Sequence, residues 1–236
     1  MPGRPHERTW HLPLGQAEQG TVLAALPDIR GRSVLDVGCG TGRYPRAYRA
    51  LGAGRVVGVD PARELVSRAQ NIEEHDPEGV SYETHALFSL PVLGKFDIVV
   101  AIRVLGATED EDELDRVLRG LTANLAAGGT LVVLVAERNQ SETQERYGFS
   151  VTEGAASDHR LAVTTLVRAD PAVEFEDFVL CRGVVEAALV RAGLTDLERH
   201  DAIVPPEALL ERGRDYWAAL LADPPFAVFS ARKCTP

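Results

Sequence analysis

The sequence is poor in cysteine, poor in basic residues and without a long apolar run. Cys39, Cys181 and Cys234 are the three cysteines of 236 residues. Their odd number and the absence of C-x-x-C spacing argue against a disulfide framework and against a zinc site. Such sparse cysteine fits a reducing compartment, and a cytoplasmic protein is expected. No stretch approaches the roughly eighteen apolar residues of a membrane span, and the first ten residues lack the apolar region of a signal peptide. No membrane partner is therefore expected. Lys and Arg number 25 against 35 Asp and Glu, a formal net charge of −10. Nucleic-acid affinity rests on cations that neutralise phosphates, so no nucleic-acid partner is expected either. The length fits one α/β domain over residues 1–236 with room for a sizeable core.

What is present is concentrated in one stretch, Ser33-Val34-Leu35-Asp36-Val37-Gly38-Cys39-Gly40-Thr41-Gly42-Arg43. Val34, Leu35 and Val37 read as a short strand buried on both faces, as a central parallel strand is. Gly38, Gly40 and Gly42 then alternate through a turn where the missing Cβ lets a ligand approach the backbone. A helix over residues 43–50 would point its first N–H groups into the same space. The dinucleotide fingerprint G-x-G-x-x-G would need glycine at position 43, which is Arg. A second anchor, Arg55-Val56-Val57-Gly58-Val59-Asp60-Pro61, reads as the next strand. It ends in a carboxylate roughly twenty residues past the turn, where an acid accepts ribose hydroxyls. Pro61 suits the first position of the following helix. The plainer readings are an ordinary glycine turn and a helix N-cap.

The G-x-G-x-G pattern with Asp36 two residues ahead resembles the first motif of class I S-adenosylmethionine (AdoMet) methyltransferases. That resemblance implies a Rossmann-like seven-stranded mixed sheet, its last strand antiparallel, with helices on both faces. It implies AdoMet as cofactor and S-adenosyl-L-homocysteine as product. Asp36, Gly38, Cys39, Gly40, Gly42, Asp60 and Pro61 would then line the cofactor. In the family the third strand commonly ends in an acid that meets the adenine amine; the matching residue here is His85. Either neutral His85 accepts from that amine, or backbone groups near Ala86 hold it.

Further strands are expected over residues 80–85 and 96–102, and a helix over 62–71. Ligands sit outside the carboxyl ends of parallel strands, so residues 101–107, beginning at Ala101, should border the site of methyl transfer. No Asn- or Asp-Pro-Pro-Tyr and no Pro-Cys motif is present there. The histidine that many small-molecule relatives carry at this point is replaced by Gly106 and Ala107. Arg103 has two readings: a cation for an anionic substrate group, or a residue turned to solvent or to the acidic run 109–113. That run, with capping-box spacing between Thr108 and Glu111, reads as a helix start and not as a metal site. The helix is expected to end at Ala127-Gly128-Gly129, with a strand over 130–136.

An ordinary sheet would pass straight to its next helix, yet residues 137–181 form an insertion. Runs 159–167 and 173–180 read as a β-hairpin suited to lidding a small substrate or to a homodimer contact. A helix over 184–192, a strand over 194–200, one long helix over 207–221 and a last strand over 226–231 close the chain. Near the amino terminus, a helix is expected over 16–26. Residues 1–10 read as a tail, from which Arg8, Trp10 and then His11 are placed to cover a cofactor.

Tyr147-Gly148-Phe149, Val173-Glu174-Phe175-Glu176-Asp177-Phe178 and the segment from Asp215-Tyr216-Trp217 to Asp223-Pro224-Pro225 are similar to toxoflavin-type small-molecule methyltransferases, a group that includes dehydrophos-type enzymes of secondary metabolism and antibiotic biosynthesis. This implies N- or O-methylation of a small molecule with a polar or anionic head by direct in-line transfer. Arg103, Arg138, Tyr147 and Trp217 become pocket candidates, with no catalytic base assigned. The plainer readings are core aromatics and a surface cation. A catalytically silent AdoMet-fold partner protein is the alternative function, and the glycine spacing disfavours a nicotinamide-dependent oxidoreductase.

Overall fold

A computed structural model of the chain describes residues 12–138, 141–168 and 172–234. The proposed tail and Arg8, Trp10 and His11 lie outside the described residues. The chain runs α1 (Pro13–Ala25), β1 (Ser33–Val37), α2 (Arg43–Ala50), β2 (Arg55–Asp60), α3 (Arg63–His75), β3 (Val80–Thr84), β4 (Phe96–Ile102), α4 (Glu111–Asn124) and β5 (Leu125–Ala136). It continues through α5 (Ser141–Arg146), β6 (Phe149–Ala156), β7 (Arg160–Val167), β8 (Val173–Leu180), α6 (Val184–Arg191), β9 (Leu194–His200), α7 (Pro206–Arg212), α8 (Arg214–Ala222) and β10 (Phe226–Lys233).

Seven strands form one sheet in the order β3-β2-β1-β4-β5-β10-β9. The first five pair in parallel, and β10 enters antiparallel to both β5 and β9. Consecutive apolar residues make these strands buried on both faces. Val34, Val56, Ile98, Val100, Val132 and Val228 pack with Tyr48 of α2 and Trp217 and Leu220 of α8 on one face. Leu35, Val57, Val99, Leu131 and Phe229 pack with α4 and α6 residues on the other. The strand order reverses between β1 and β4, which places a crevice at their carboxyl ends.

The sequence reading needs four corrections. The insertion is a separate three-stranded antiparallel sheet, β6-β7-β8, because residues 149–156 pair with β7 and extend the expected hairpin. The long helix 207–221 breaks at Gly213, whose φ of 78° is the left-handed conformation that ends a helix. Helix α4 stops at Asn124, ahead of the Gly128-Gly129 pair, since Leu125 already pairs with Phe96. Its N-cap is Asp110, which accepts from the Glu113 N–H at 2.8 Å, while the Glu113 carboxylate accepts from the Glu109 N–H at 2.9 Å. Thr108 is buried instead, and its hydroxyl donates to the Leu105 carbonyl at 2.7 Å.

Candidate active site

The site starts from the turn that leaves β1. Gly38, Gly40 and Gly42 have φ of 84°, 58° and 82°, values L-residues with a Cβ rarely adopt. The Gly38 and Cys39 N–H groups both donate to the Val59 carbonyl, at 2.7 and 3.0 Å, so the turn is tied to the end of β2. Gly42 is then the N-cap of α2. A Cβ at Gly42 would lie 2.2 Å from the Tyr82 hydroxyl oxygen, and one at Gly58 would meet Cys39 Sγ and Tyr82 Cδ1, each at 2.9 Å. Gly42 and Gly58 thus make room for Tyr82 as well as shaping the turn, a packing role the sequence reading missed.

Two carboxylates converge on this turn. Asp60 is fully buried; its Oδ2 accepts from the Gly40 N–H at 3.1 Å and its Oδ1 from the Ala62 N–H at 2.8 Å. Ala62 is the N-cap of α3, so Pro61 lies one residue ahead of the cap and not at the first helical position. Asp36 is 2% exposed, and its Oδ2 has no hydrogen-bond partner. Burial, and then the charge of Asp60, push its carboxyl up to about 8. Tyr48, whose buried hydroxyl is also unpartnered, is pushed up by burial and by Asp36.

His85 reaches the same edge: its N–H donates to the Asp60 carbonyl at 3.3 Å. Its ring Nε2, just past the end of β3, is 2.9 Å from Oε2 of Glu83 in that strand. Ala86 is exposed beside it. Ala101 pairs with Val37 and Val133 and buries its methyl in the α4-side core, so only its backbone faces the crevice end of the sheet.

Arg103 follows β4 with φ of 54°, left-handed for a residue with a side chain. Its N–H donates to the Leu134 carbonyl at 2.8 Å. The guanidinium faces neither solvent nor the acidic run 109–113. It donates to Glu18 of α1 in a short bidentate contact and to Asp177 of β8 at 3.4 Å. The three side chains are 12%, 13% and 21% exposed. Burial works against the Arg103 charge, but Glu18 and then Asp177 outweigh it and hold the guanidinium above its ordinary range. Tyr44, at the start of α2, is pushed up by burial and by Glu18, with a smaller contribution from Asp36.

A cleft of about 340 Å³ opens beside Arg103. Phe149, Val151, Leu161, Val163 and Val179 of the insertion sheet form its apolar wall; Glu137, Arg138 and Pro225 stand opposite. Arg138 is paired with Glu153 at 2.5 Å, and Glu137 accepts from Arg199 at 2.7 and 2.5 Å. Two pocket candidates are displaced. Tyr147 is buried, donating to the Tyr216 carbonyl at 2.6 Å and accepting from the Leu220 N–H at 3.1 Å. Trp217 is fully buried, stacks on Tyr147 at 5.9 Å and donates to the Ala208 carbonyl at 3.1 Å. Both are core aromatics, and neither lines the cleft. Glu18, Asp177 and Tyr82 carry no local sequence signal, because each acts on a residue distant in sequence.

Sheet order, glycine turn and strand-end acids together define the Rossmann-like fold of class I methyltransferases. Residues 34–129 match the family model described as Methyltransferase domain. A tRNA U34 carboxymethyltransferase of Pseudoalteromonas translucida is 34% identical over 123 residues, 51% of this chain and 37% of that protein. The chain thus spans well under half the length of the curated relatives it matches. An S-adenosylmethionine-dependent methyltransferase structure from Mesorhizobium loti superposes with a TM-score of 0.64 at 22% identity, covering 92% of this chain and 98% of that one. CalS10, an amino pentose methyltransferase from Micromonospora echinaspora solved with its cofactor bound, gives 0.57 at 21% identity, with 95% and 91% covered. Among the described residues no helix is long and apolar enough to cross a membrane.

Proposed function

We propose that this chain is an AdoMet-dependent methyltransferase that methylates nitrogen or oxygen of a small molecule held between the end of β5 and the insertion sheet. One observation carries the cofactor assignment: a buried carboxylate, Asp36, without a partner on Oδ2, beside a glycine turn tied to Asp60 at the sheet's switch point. A buried acceptor left unpaired is costly, and a cationic ligand against Asp36 removes that cost. The donor set therefore fits AdoMet, which supplies a methyl group already activated on a sulfonium. Asp60 would take the ribose hydroxyls, and the residues near His85 and Ala86 the base.

The chain's own task is alignment and exclusion of water. The apolar wall closes one side of the cleft, Glu137, Arg138 and Pro225 stand on the other, and Arg103 brings it to the end of β4. No histidine base follows β4, which suits an acceptor that reacts through an amine lone pair or an already ionised oxygen. The amino pentose methyltransferase CalS10 and the toxoflavin-type resemblance both favour a small acceptor. A tRNA acceptor, suggested by the carboxymethyltransferase likeness, is less well supported. The cleft arginines are each neutralised by carboxylates, and the chain is strongly acidic, whereas RNA binding needs available cations. The head group is correspondingly read as polar; Arg103, engaged on two sides, is not assigned to an anion.

The test is transfer of labelled methyl from AdoMet into a fractionated small-molecule extract, comparing wild type with Asp60→Ala. Label in a small-molecule fraction that disappears with Asp60→Ala supports the reading. Label in the RNA fraction alone moves the acceptor to nucleic acid. Absence of label, together with no calorimetric binding of AdoMet, overturns the enzyme reading in favour of a silent partner protein.

A further inference from the structure

Two separate covers meet over the crevice: α1 from the amino-terminal side and the β6-β7-β8 sheet from the insertion. Among the described residues one side chain that belongs to neither bonds to both. Arg103 leaves the end of β4 and donates to Glu18 of α1 and Asp177 of β8. Its left-handed backbone, φ 54°, is the conformation that sends this side chain up between the covers. A non-glycine residue holds that conformation only where its surroundings over-determine it. Here two carboxylates and the bond to Leu134 do so. Asp177 itself is fixed by the Phe178 N–H on Oδ1 at 2.8 Å, and β8 is held close by the tight approach of the Phe178 carbonyl to Gly106, where a Cβ would stand 2.7 Å from that oxygen.

The junction also touches the cofactor side. Arg43, the first residue of α2 after Gly42, donates to Gln19 of α1 at 2.7 Å, beside Glu18, so the glycine turn, α1, Arg103 and Asp177 form one hydrogen-bonded series from the turn to the acceptor cleft. Packed, charge-paired groups of this kind have few alternative arrangements, and a change at one end is felt at the other.

We propose that Arg103 is a positioning residue: it latches α1 to the insertion sheet over the reaction centre, so that occupancy of the cofactor site tightens the acceptor cleft. This rests on the methyltransferase reading. The latch holds the two covers at a fixed distance from the end of β4, and the acceptor is aligned by the sheet, not by contact with the guanidinium. By linkage, whatever the cofactor does to the latch the acceptor does in return, with the same coupling factor.

The experiment is amide hydrogen exchange on the full chain with and without AdoMet, run beside calorimetric titration of AdoMet. Wild type is expected to show slower exchange in two places: residues 33–60 around the turn, and β8 with its partner β7. In Asp177→Asn, AdoMet still binds and still protects residues 33–60, but the slowing of β7 and β8 is lost; Asp177→Glu, which keeps the charge, restores part of it. Glu18→Gln, on the opposite cover, gives the same loss and serves as the second variant should Asp177→Asn misfold. Protection confined to residues 33–60 in wild type overturns the latch and leaves the methyltransferase reading standing. Equal protection of β8 in wild type and both variants likewise overturns it. No heat and no protection anywhere overturns the methyltransferase reading itself.

Discussion

The Tyr82 hydroxyl donates to the Gly42 carbonyl at 3.3 Å, and a Cβ on Gly42 would sit 2.2 Å from that same oxygen. The third glycine of the turn is therefore held by two constraints, a φ of 82° and a tyrosine ring packed on its bare α-carbon. Gly42→Ala meets both: about 1–2 kcal/mol for the left-handed backbone, plus the displacement of a buried ring. In a chain of this size each kcal/mol lowers the Tm by about 2–4 °C. A fall of at least 4 °C is expected by calorimetry, with weakened AdoMet binding as the turn shifts. An unchanged Tm would show that Tyr82 moves aside freely.

Asp36 makes stability depend on pH in a definite direction. Its folded carboxyl is held up at about 8 against an ordinary 3.8. Between those values the unfolded chain releases the proton while the folded chain keeps it, so this group's contribution falls as pH rises and levels off above 8. Asp36→Asn removes that slope. Urea unfolding of the cofactor-free protein from pH 5 to 9 should show the two proteins diverging, with the variant gaining relative stability toward pH 8. Parallel curves would mean that Asp36 is already ionised in the fold. Because a cation favours the carboxylate, AdoMet binding near neutrality should also release a proton, read as a binding heat that varies with the buffer's ionisation enthalpy.

The parts of the sequence that were legible were local ones. Residues 33–43 carry the strand, turn and helix start within eleven positions, and apolar continuity in 96–102 marks a central strand without ambiguity. The glycine at 213 was passed over because the apolar pattern around it continues through 207–221, while only its backbone angle stops the helix. Thr108 matched a capping spacing that Asp110 satisfies better. It was left to pack under the insertion, which no local pattern announces. The charge partners of Arg103 lie 85 and 74 residues away, so neither reading of the isolated arginine, substrate cation or solvent-facing residue, includes them. Tyr147 and Trp217 are candidates on aromatic identity alone, which does not reveal whether a ring faces a cleft or a core.

Tyr147→Phe separates those roles. The hydroxyl bonds both the Tyr216 carbonyl and the Leu220 N–H in the core. Tyr216 and Leu220 are an i, i+4 pair of α8 whose carbonyl and N–H can close on each other, so the loss is that of the hydroxyl's own bonds, about 0.5–1.5 kcal/mol. The expected result is a Tm lowered by several degrees with AdoMet affinity and the acceptor KM unchanged within twofold. A large rise in KM at unaltered Tm would return Tyr147 to the acceptor cleft.

Arg103→Ala removes the only described cation between Glu18 and Asp177 in the latch. Deleting one partner of a buried ion pair leaves the other charges uncompensated and costs about 3–5 kcal/mol. Because the site retains some solvent contact, the lower end is expected. Adding Glu18→Gln and Asp177→Asn to Arg103→Ala removes the stranded charges, so the triple variant should recover part of the stability lost by the single one. Urea midpoints for the two variants decide it. If the triple variant is the less stable of the two, the carboxylates contribute through bonds other than those to Arg103.

His159 gives the insertion an acid limit that can be worked out atom by atom. Thr108 spends its one hydroxyl proton on the Leu105 carbonyl, so the 3.1 Å contact to His159 Nε2 must be donated by the imidazole. Nδ1, buried and without a partner, is then the unprotonated nitrogen. Protonation would put an N–H there with no acceptor; burial accordingly holds the ring below its ordinary 6.5, against the pull of Asp110 and Glu111 of α4 and alongside the repulsion of Arg160 and Arg191. A depressed histidine contributes stability that is present above 6.5 and is lost as pH falls through the folded value. Arg160 donates to the Thr108 carbonyl at 3.1 Å and lies over the Phe178 ring, so the same turn anchors the insertion sheet to the start of α4. Acidification below 6.5 should therefore raise exchange rates, corrected for intrinsic pH dependence, in β6 and β7 before the central sheet. In His159→Gln that early step should be absent, while Arg160→Lys should keep its pH dependence and show faster exchange throughout. Early opening that persists in His159→Gln would assign the acid limit to the carboxylates at the start of α4.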